Sequence, residues 1–231
     1  MNRMERQDEK VLVGEAAVIQ FVKDGMTVGL GTGSTAYYVI KKMGEMIKKG
    51  VELKGVATSK ATEKLASECG IQLVDINEVE QLDIAIDGAD EIDDNFFAIK
   101  GGGGALLREK IIASAAKTFI VVADGSKKVR SLGKFPLPIE VVPFGYKHTE
   151  KAIRKFGCKT AIRQKDGKLF VTDNGNYIID CSFPTIQNPT QLHQDLNNIV
   201  GVVENGLFIN MVDVLISINE QDQISVEHKN R

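Results

Sequence analysis

Tryptophan is absent from this 231-residue sequence, and cysteine, histidine and proline are scarce at three, three and five residues. Cys69, Cys158 and Cys181 form no CxxC pair, and their odd number does not make a disulfide framework. His148, His193 and His228 are too scattered to show zinc-ligand spacing. No run approaches the roughly 20 apolar residues that span a bilayer. The opening MNRMERQDEK has no apolar core of the signal-peptide kind. Nor does one sign of charge dominate: 31 acidic and 29 basic side chains give a net charge of −2, with no basic field to grip nucleic acid. These absences argue against membrane, secreted and disulfide-rich classes. They lead us to expect a soluble cytoplasmic protein with neither a membrane nor a nucleic-acid partner. What is present is 43% hydrophobic residues, enough to build one large core or two smaller ones.

The apolar pattern changes character along the chain. Up to residue 132, helical and strand-like stretches alternate, which implies parallel βαβ units. Residues 8–24 place Leu12, Ala16, Ile19 and Val22 at helical spacing, and 36–48 do the same with Tyr37, Ile40, Met43 and Ile47. TVGL (27–30), LKGVATS (53–59), LDIAIDGAD (82–90) and TFIVVAD (118–124) read as strands, and 104–117 as a helix. The sum is an α/β, doubly wound, Rossmann-like, mostly parallel sheet, whose ligands bind where loops leave the strand C-termini. FPLPIEVVPF carries three prolines in ten residues and reads as a linker with an edge strand. A helix (149–156), the strand TAIRQ, a Lys165-Asp166-Gly167 turn, KLFVT, an Asn174-Gly175 hairpin turn, YIIDCSF, the helix PTQLHQDLNNI and VVENGLF follow. This order describes a smaller α+β, ferredoxin-like domain over 133–208. The final apolar run MVDVLISI rejoins the first sheet, so that 1–132 and 209–231 form the expected catalytic domain.

Three loops carry chemistry. Gly29-Leu30-Gly31-Thr32-Gly33-Ser34-Thr35-Ala36 lies between a strand and a helix. Glycines admit a ligand to the backbone, and the helix N-terminus offers free N–H groups to a phosphate. The loop lacks the Gly-Lys-Ser/Thr of a P-loop, and the following strand ends in Ala57-Thr58-Ser59-Lys60, without the ribose-binding acid of a dinucleotide site. Asp87-Gly88-Ala89-Asp90 sets two carboxylates three residues apart, suited to proton transfer or to sugar hydroxyls, whereas Asp93 and Asp94 suit a solvated acidic turn. The spacing is not that of a calcium loop, and we expect no metal and no cofactor. Lys100-Gly101-Gly102-Gly103-Gly104 spends much chain entropy on a bare backbone, whose amides and lysine suit an oxyanion. In the next helix Glu109 shares a stripe with Ala105, Ile112 and Ala116. Apolar surroundings disfavour the charged form of a carboxylate, which suits a general base working near neutrality. The competing reading is a surface glutamate paired with Arg108 or Lys110. Lys127, in Asp124-Gly125-Ser126-Lys127, falls at the same sheet edge as the other loops and suits the far end of an anionic substrate.

GLGTGSTA, DGADEID, KGGGGALLREK, ADGSKKV, LGKFPLPIEVVP and VTDNGN together resemble the type A ribose-5-phosphate isomerase family, in the same order and over nearly the whole chain. The resemblance implies interconversion of ribose 5-phosphate and ribulose 5-phosphate in the non-oxidative pentose phosphate pathway, without metal or nucleotide cofactor, by a homo-oligomer that is most often a dimer. It implies substrate binding by Thr32, Gly33, Ser34 and Thr35, by Asp87, Gly88, Ala89 and Asp90, and by Lys100, Gly101, Gly102 and Gly103. It matches Glu109 to the proton acceptor, Lys127 to a further substrate lysine and Lys10 to a lysine that contacts substrate. In the expected mechanism Asp87 assists ring opening, Glu109 moves a proton between C2 and C1 through a cis-enediolate, and Lys100 stabilises the oxyanion. Two other classes fit parts of the pattern. A phosphosugar sensor would be expected to add a helix-turn-helix, and a nucleotide-dependent dehydrogenase would need the missing acid.

Overall fold

The computed structural model describes residues 5–219 and 221–229. The chain forms two compact units, one drawn from Met1–Ala89, Arg108–Lys128 and Met211–Arg231, the other from Asp90–Leu107 and Val129–Asn210.

In the first unit, α1 (Arg6–Phe21) precedes β1 (Thr27–Leu30), α2 (Ala36–Lys48), β2 (Lys54–Ala57), α3 (Lys60–Glu68), β3 (Gln72–Leu73) and β4 (Ile84–Gly88). The chain leaves for the second unit through β5 (Glu91–Ile92) and β6 (Ala98–Ile99), then returns along α4 (Leu106–Ala115) to β7 (Phe119–Ala123). A second excursion comprises β8 (Leu137–Val141), α5 (Tyr146–Arg154), β9 (Lys159–Ile162), β10 (Gln164–Lys165), β11 (Lys168–Leu169), β12 (Tyr177–Ser182), α6 (Pro189–Asn197), β13 (Val202–Asn205) and β14 (Leu207–Phe208). β15 (Val214–Ile218) and β16 (Ile224–His228) complete the first unit.

Its seven strands run in the order β16-β15-β7-β4-β1-β2-β3. All pairs are parallel except β15 with β16, an antiparallel edge strand that the sequence pattern did not disclose. β7 and β15 are buried along their whole length, as parallel strands covered on both faces must be. From β1 the chain winds outward through β2 and β3, then crosses to place β4 on the other side of β1. The loops after β1 and β4 therefore open at the switch point of the sheet, where such folds hold ligands.

α2 keeps its expected bounds, whereas α1 (Arg6–Phe21) and α5 (Tyr146–Arg154) lie earlier than the expected 8–24 and 149–156, and the buried face is not always the expected one. α2 spans the expected residues and buries Val39, Ile40 and Met43, while Tyr37 points outward. In α1 the expected stripe holds only in part: Ala16 and Val22 are buried as expected, Leu12 and Ile19 are exposed, and Val13, Ala17 and Val18 complete the core face. Small side chains serve there because α1 packs closely on α2, where a Cβ on Gly14 would lie 3.0 Å from the Tyr38 Cβ.

In the second unit, β13-β8-β12-β9 form an antiparallel sheet whose chain order, β8-α5-β9-β12-α6-β13, is ferredoxin-like. The FPLPIEVVPF segment is not an edge strand as expected: β8 is central and fully buried. Pro138 is tolerated because its carbonyl accepts the Gly206 N–H at 2.8 Å, so its missing N–H lies beyond the last β13 pair, Asn205 with Ile139. The β10–β11 hairpin turns on Asp166 and Gly167, both at positive φ (52° and 74°), as the Asp-Gly pair allows. Thr172, Asn174 and Asn176 all donate to Glu140 Oε1, at 2.9, 3.2 and 2.9 Å, tying the Asn-Gly turn to β8.

The division of the chain differs from the 132/133 and 208/209 boundaries read from composition. Residues 90–107 belong to the second unit because β6 pairs with β14 and with β5 in a separate three-stranded sheet. The Glu91 carboxylate adds to this, accepting the N–H groups of Gly133 at 2.7 Å and Phe135 at 2.6 Å.

Gly29 on β1 has no room for a side chain: a Cβ there would lie 2.5 Å from Ile112 Cγ2 on α4 and 2.8 Å from the Ala85 Cβ. Gly29→Ala should therefore cost about 1–3 kcal/mol through overpacking, read as a lower urea midpoint at unchanged m-value. An unshifted midpoint would contradict this packing of α4 on β1.

Candidate active site

In the first unit the site is built at the ends of β1, β4 and β7. Asp87 ends the buried part of β4 and is 3% exposed. Its Oδ1 accepts the N–H of Thr32 at 3.0 Å and of Gly88 at 2.7 Å, so the two switch-point loops are joined through one carboxylate. Gly31 makes this possible, because a Cβ at that position would lie 2.2 Å from Asp87 Oδ1.

The Thr32 hydroxyl does not face outward. It lies 2.7 Å from Thr58 Oγ1, 2.8 Å from Ser59 Oγ and 3.0 Å from Thr62 Oγ1, inside a hydroxyl network that also grips the carbonyls of Leu30 and Gly31. Thr58, Ser59 and Thr62 were not singled out from the sequence, although the hydroxyl-rich ATSKAT after β2 carries the signal. That segment braces the first loop and holds no ribose-binding acid, which leaves the dinucleotide reading without support. Gly33 follows with φ +116° and nothing within 4 Å of its Cβ position, and Ser34 is exposed. Among the described residues the N–H groups of Gly33, Ser34, Thr35 and Ala36 have no acceptor, and Thr35 caps α2 without a side-chain bond. Four donors at the positive end of a helix dipole form a seat for an anion.

Glu109 is 4% exposed, on the buried face of α4 with Ile112 and Ala113. The surface reading of this glutamate is thereby set aside, and its neighbour Arg108 pairs with Glu63 at 3.8 Å. Beyond β7, Asp124 accepts from the N–H and the hydroxyl of Ser126 at 3.0 and 2.5 Å, closing the turn that carries Lys127. Gly125 N–H donates to Glu9 Oε2 at 2.9 Å. Buried Glu9, which sequence reasoning missed, thus fastens the start of α1 to the Lys127 turn, and the half-buried Lys10 follows it directly.

The second unit holds the other expected residues. Asp90 accepts the Gly102 N–H at 2.7 Å, and a Cβ on Gly102 would lie 2.6 Å from Asp90 Oδ1. Lys100 is 2% exposed, with Nζ 5.3 Å from the centre of the Phe208 ring, and its N–H donates to Gly206 O at 2.9 Å. Gly101 and Gly104 adopt positive φ of 100° and 84°, and Gly104 N–H closes a turn on Gly101 O at 3.0 Å. Asp93 is not solvated but buried, accepting the N–H groups of Asn95 and Phe97 at 2.9 Å each to fix its own turn. Among the described residues no group of three His, Cys, Asp or Glu side chains is placed to hold a metal ion.

A doubly wound sheet with open amides at its switch point and buried Asp87 joining the loops there places the protein in the α/β class whose ligands bind at that edge. The ribose 5-phosphate isomerase A (phosphoriboisomerase A) family model matches residues 54–222. A ribose-5-phosphate isomerase A of Bacillus mycoides is 56% identical over 203 residues, 87% of this chain and 91% of that protein. The ribose 5-phosphate isomerase structure from Plasmodium falciparum superposes with a TM-score of 0.95 at 37% identity, covering 97% of this chain and 100% of the other. A D-ribose-5-phosphate isomerase solved in complex with phospho-erythronic acid gives 0.93 at 40% identity, covering 99% and 100%. The chain belongs to the ribose 5-phosphate isomerase A family.

The anion seat is testable without turnover. Titrating inorganic phosphate into the ¹⁵N-labelled protein should shift the Ser34, Thr35 and Ala36 amide resonances most. Largest shifts in the α5 or α6 first turns would place the seat elsewhere.

Proposed function

We propose that the protein interconverts D-ribose 5-phosphate and D-ribulose 5-phosphate through a cis-enediolate, with Glu109 as the base. The observation that carries the base assignment is the burial of Glu109 on α4, a helix packed against the strand that ends in the amide loop. Family membership supplies the substrate and the direction of the chemistry.

The roles follow from charge and donor type. The amides of Gly33 to Ala36 hold the phosphate dianion, aided by Lys127 and Lys10. Asp87, poised by two N–H donors, exchanges a proton with the ring oxygen or anomeric hydroxyl to open the furanose. Glu109 takes the C2 proton of the aldose and delivers it to C1, while the proton of the C2 hydroxyl passes to the C1 oxygen, leaving a hydroxyl at C1 and a carbonyl at C2. Each preorganised donor to the oxyanion, from Lys100 and the glycine amides, is worth about 2.7–4 kcal/mol by analogy with oxyanion holes. Asp90 fixes substrate hydroxyls. No step in this scheme calls for a metal or a nucleotide.

Cys69, Cys158 and Cys181 are free buried thiols, in keeping with action in the reducing cytoplasm; the pentose phosphate pathway follows from the substrate pair. The protein acts as a homodimer. Phe144 and Val200 are each 93% exposed on segments joined by the Val142 N–H to Gly201 O bond, and a second copy would remove that apolar surface from water.

Glu109→Gln keeps the shape and removes the base, so kcat should fall by about 10²–10⁴ with ribose 5-phosphate binding nearly intact. Near-native turnover would refute the assignment. Light scattering of the Phe144→Glu, Val200→Glu double variant should report a monomer where the parent is a dimer, whereas an unchanged mass would move the interface elsewhere.

A further inference from the structure

The glycine loop has no side chains to fix its own peptide planes, yet an oxyanion donor works only when its N–H is already aimed. In this protein the planes are set from outside by a residue that follows β9. Arg163 donates through Nη1 to the carbonyl of Gly101 at 2.8 Å and to that of Gly102 at 3.1 Å. Its remaining edge, Nε and Nη2, meets Asp180 on β12 at 2.9 and 2.5 Å, so the fork is held in one orientation. The guanidinium carbon also sits 5.9 Å from the centre of the Phe170 ring, and Phe170 Cζ lies 2.4 Å from where a Gly104 Cβ would stand.

In a trans peptide the C=O and the N–H point in opposite directions. The 101–102 peptide is therefore clamped at both ends, its carbonyl on Arg163 and its N–H on Asp90 at 2.7 Å. The 102–103 peptide is held by its carbonyl alone, which directs the Gly103 N–H away from the guanidinium. Gly103 is exposed, and among the described residues its N–H has no acceptor. A cation on the carbonyl also polarises the peptide and strengthens its N–H as a donor. Lysine would not replace arginine here, because a point charge cannot serve two carbonyls and a carboxylate at fixed angles.

We propose that Arg163, oriented by Asp180, is a positioning residue that aims the Gly103 N–H at the oxyanion formed during isomerisation. The inference rests on the glycine loop being the oxyanion-binding element of the proposed function. A donor that matters only when negative charge develops affects kcat and leaves KM nearly unchanged.

Steady-state kinetics on ribose 5-phosphate with Arg163→Ala, Arg163→Lys and Asp180→Asn test this. Arg163→Ala should lower kcat about 10²-fold at nearly constant KM, the scale of a small misplacement of a catalytic group. Millimolar guanidinium ion, far below denaturing concentration, should restore part of the rate by refilling the same position, and Arg163→Lys should fall between the two. Native kcat in folded Arg163→Ala overturns the proposal, as does a loss that neither guanidinium nor lysine relieves, which is the behaviour of a structural staple. Should Arg163→Ala fail to fold, Asp180→Asn decides: lowered kcat at constant KM supports the proposal and native kcat overturns it. Lys100→Met, which leaves the clamp in place, separates the two levels. Native turnover there overturns the reading of the loop itself, whereas loss there with full turnover in Arg163→Ala overturns the clamp alone.

Discussion

Two missing side chains, one on β1 and one just past its end, make the rest of the first unit possible. At Gly29 the strand accepts Ile112 of α4, and at Gly31 the chain accepts the carboxylate of Asp87. Both contacts lie inside the distance at which any Cβ could stand, so neither glycine is replaceable without moving a neighbour. The first brings the helix of Glu109 down onto the sheet. The second lets a buried carboxylate reach the Thr32 N–H and lock the switch-point loops together. A buried charge of this kind is tolerable only when hydrogen bonds compensate its lost hydration.

The same economy governs the loops. In each, a backbone donor is left open while its surroundings are tightly specified. The first loop is stiffened by hydroxyls from Thr58, Ser59 and Thr62, which take its threonine side chain and carbonyls and leave the helix-end amides clear. The glycine loop is stiffened by one carboxylate and one guanidinium acting on opposite ends of a peptide. Preorganisation of this sort places the cost of ordering in folding rather than in each turnover.

Much of this was legible in the sequence because it is local. The bounds of α2, the Asp166-Gly167 turn and the placement of three chemical loops at strand ends all follow from short-range pattern. The Glu109 stripe was legible for the same reason, since helical spacing alone put it among Ala105 and Ile112. What escaped were contacts between distant segments. Glu9 reaches Gly125 across 116 residues, and Arg163 reaches Gly101 across 62, and nothing in their own neighbourhoods distinguishes them from surface charges. Half of the α1 stripe was misread: Ala16 and Val22 are buried, but hydrophobicity also favoured Leu12 and Ile19, where close helix packing selects Val13 and Ala17. Three prolines pointed to an edge for β8, but Pro138 keeps its β12 pair with Asp180 and turns its missing N–H past the last β13 pair.

The central claim is that a buried carboxylate moves a proton between two adjacent carbons of a phosphosugar. Proton NMR of ribose 5-phosphate in D₂O with the purified, EDTA-treated protein tests it most directly. The account predicts ribulose 5-phosphate, with deuterium entering at the exchanging carbon as Glu109 trades its proton with solvent. Tight phosphosugar binding without conversion or deuterium uptake would contradict it, and would reduce Glu109 to a structural residue in a binding protein.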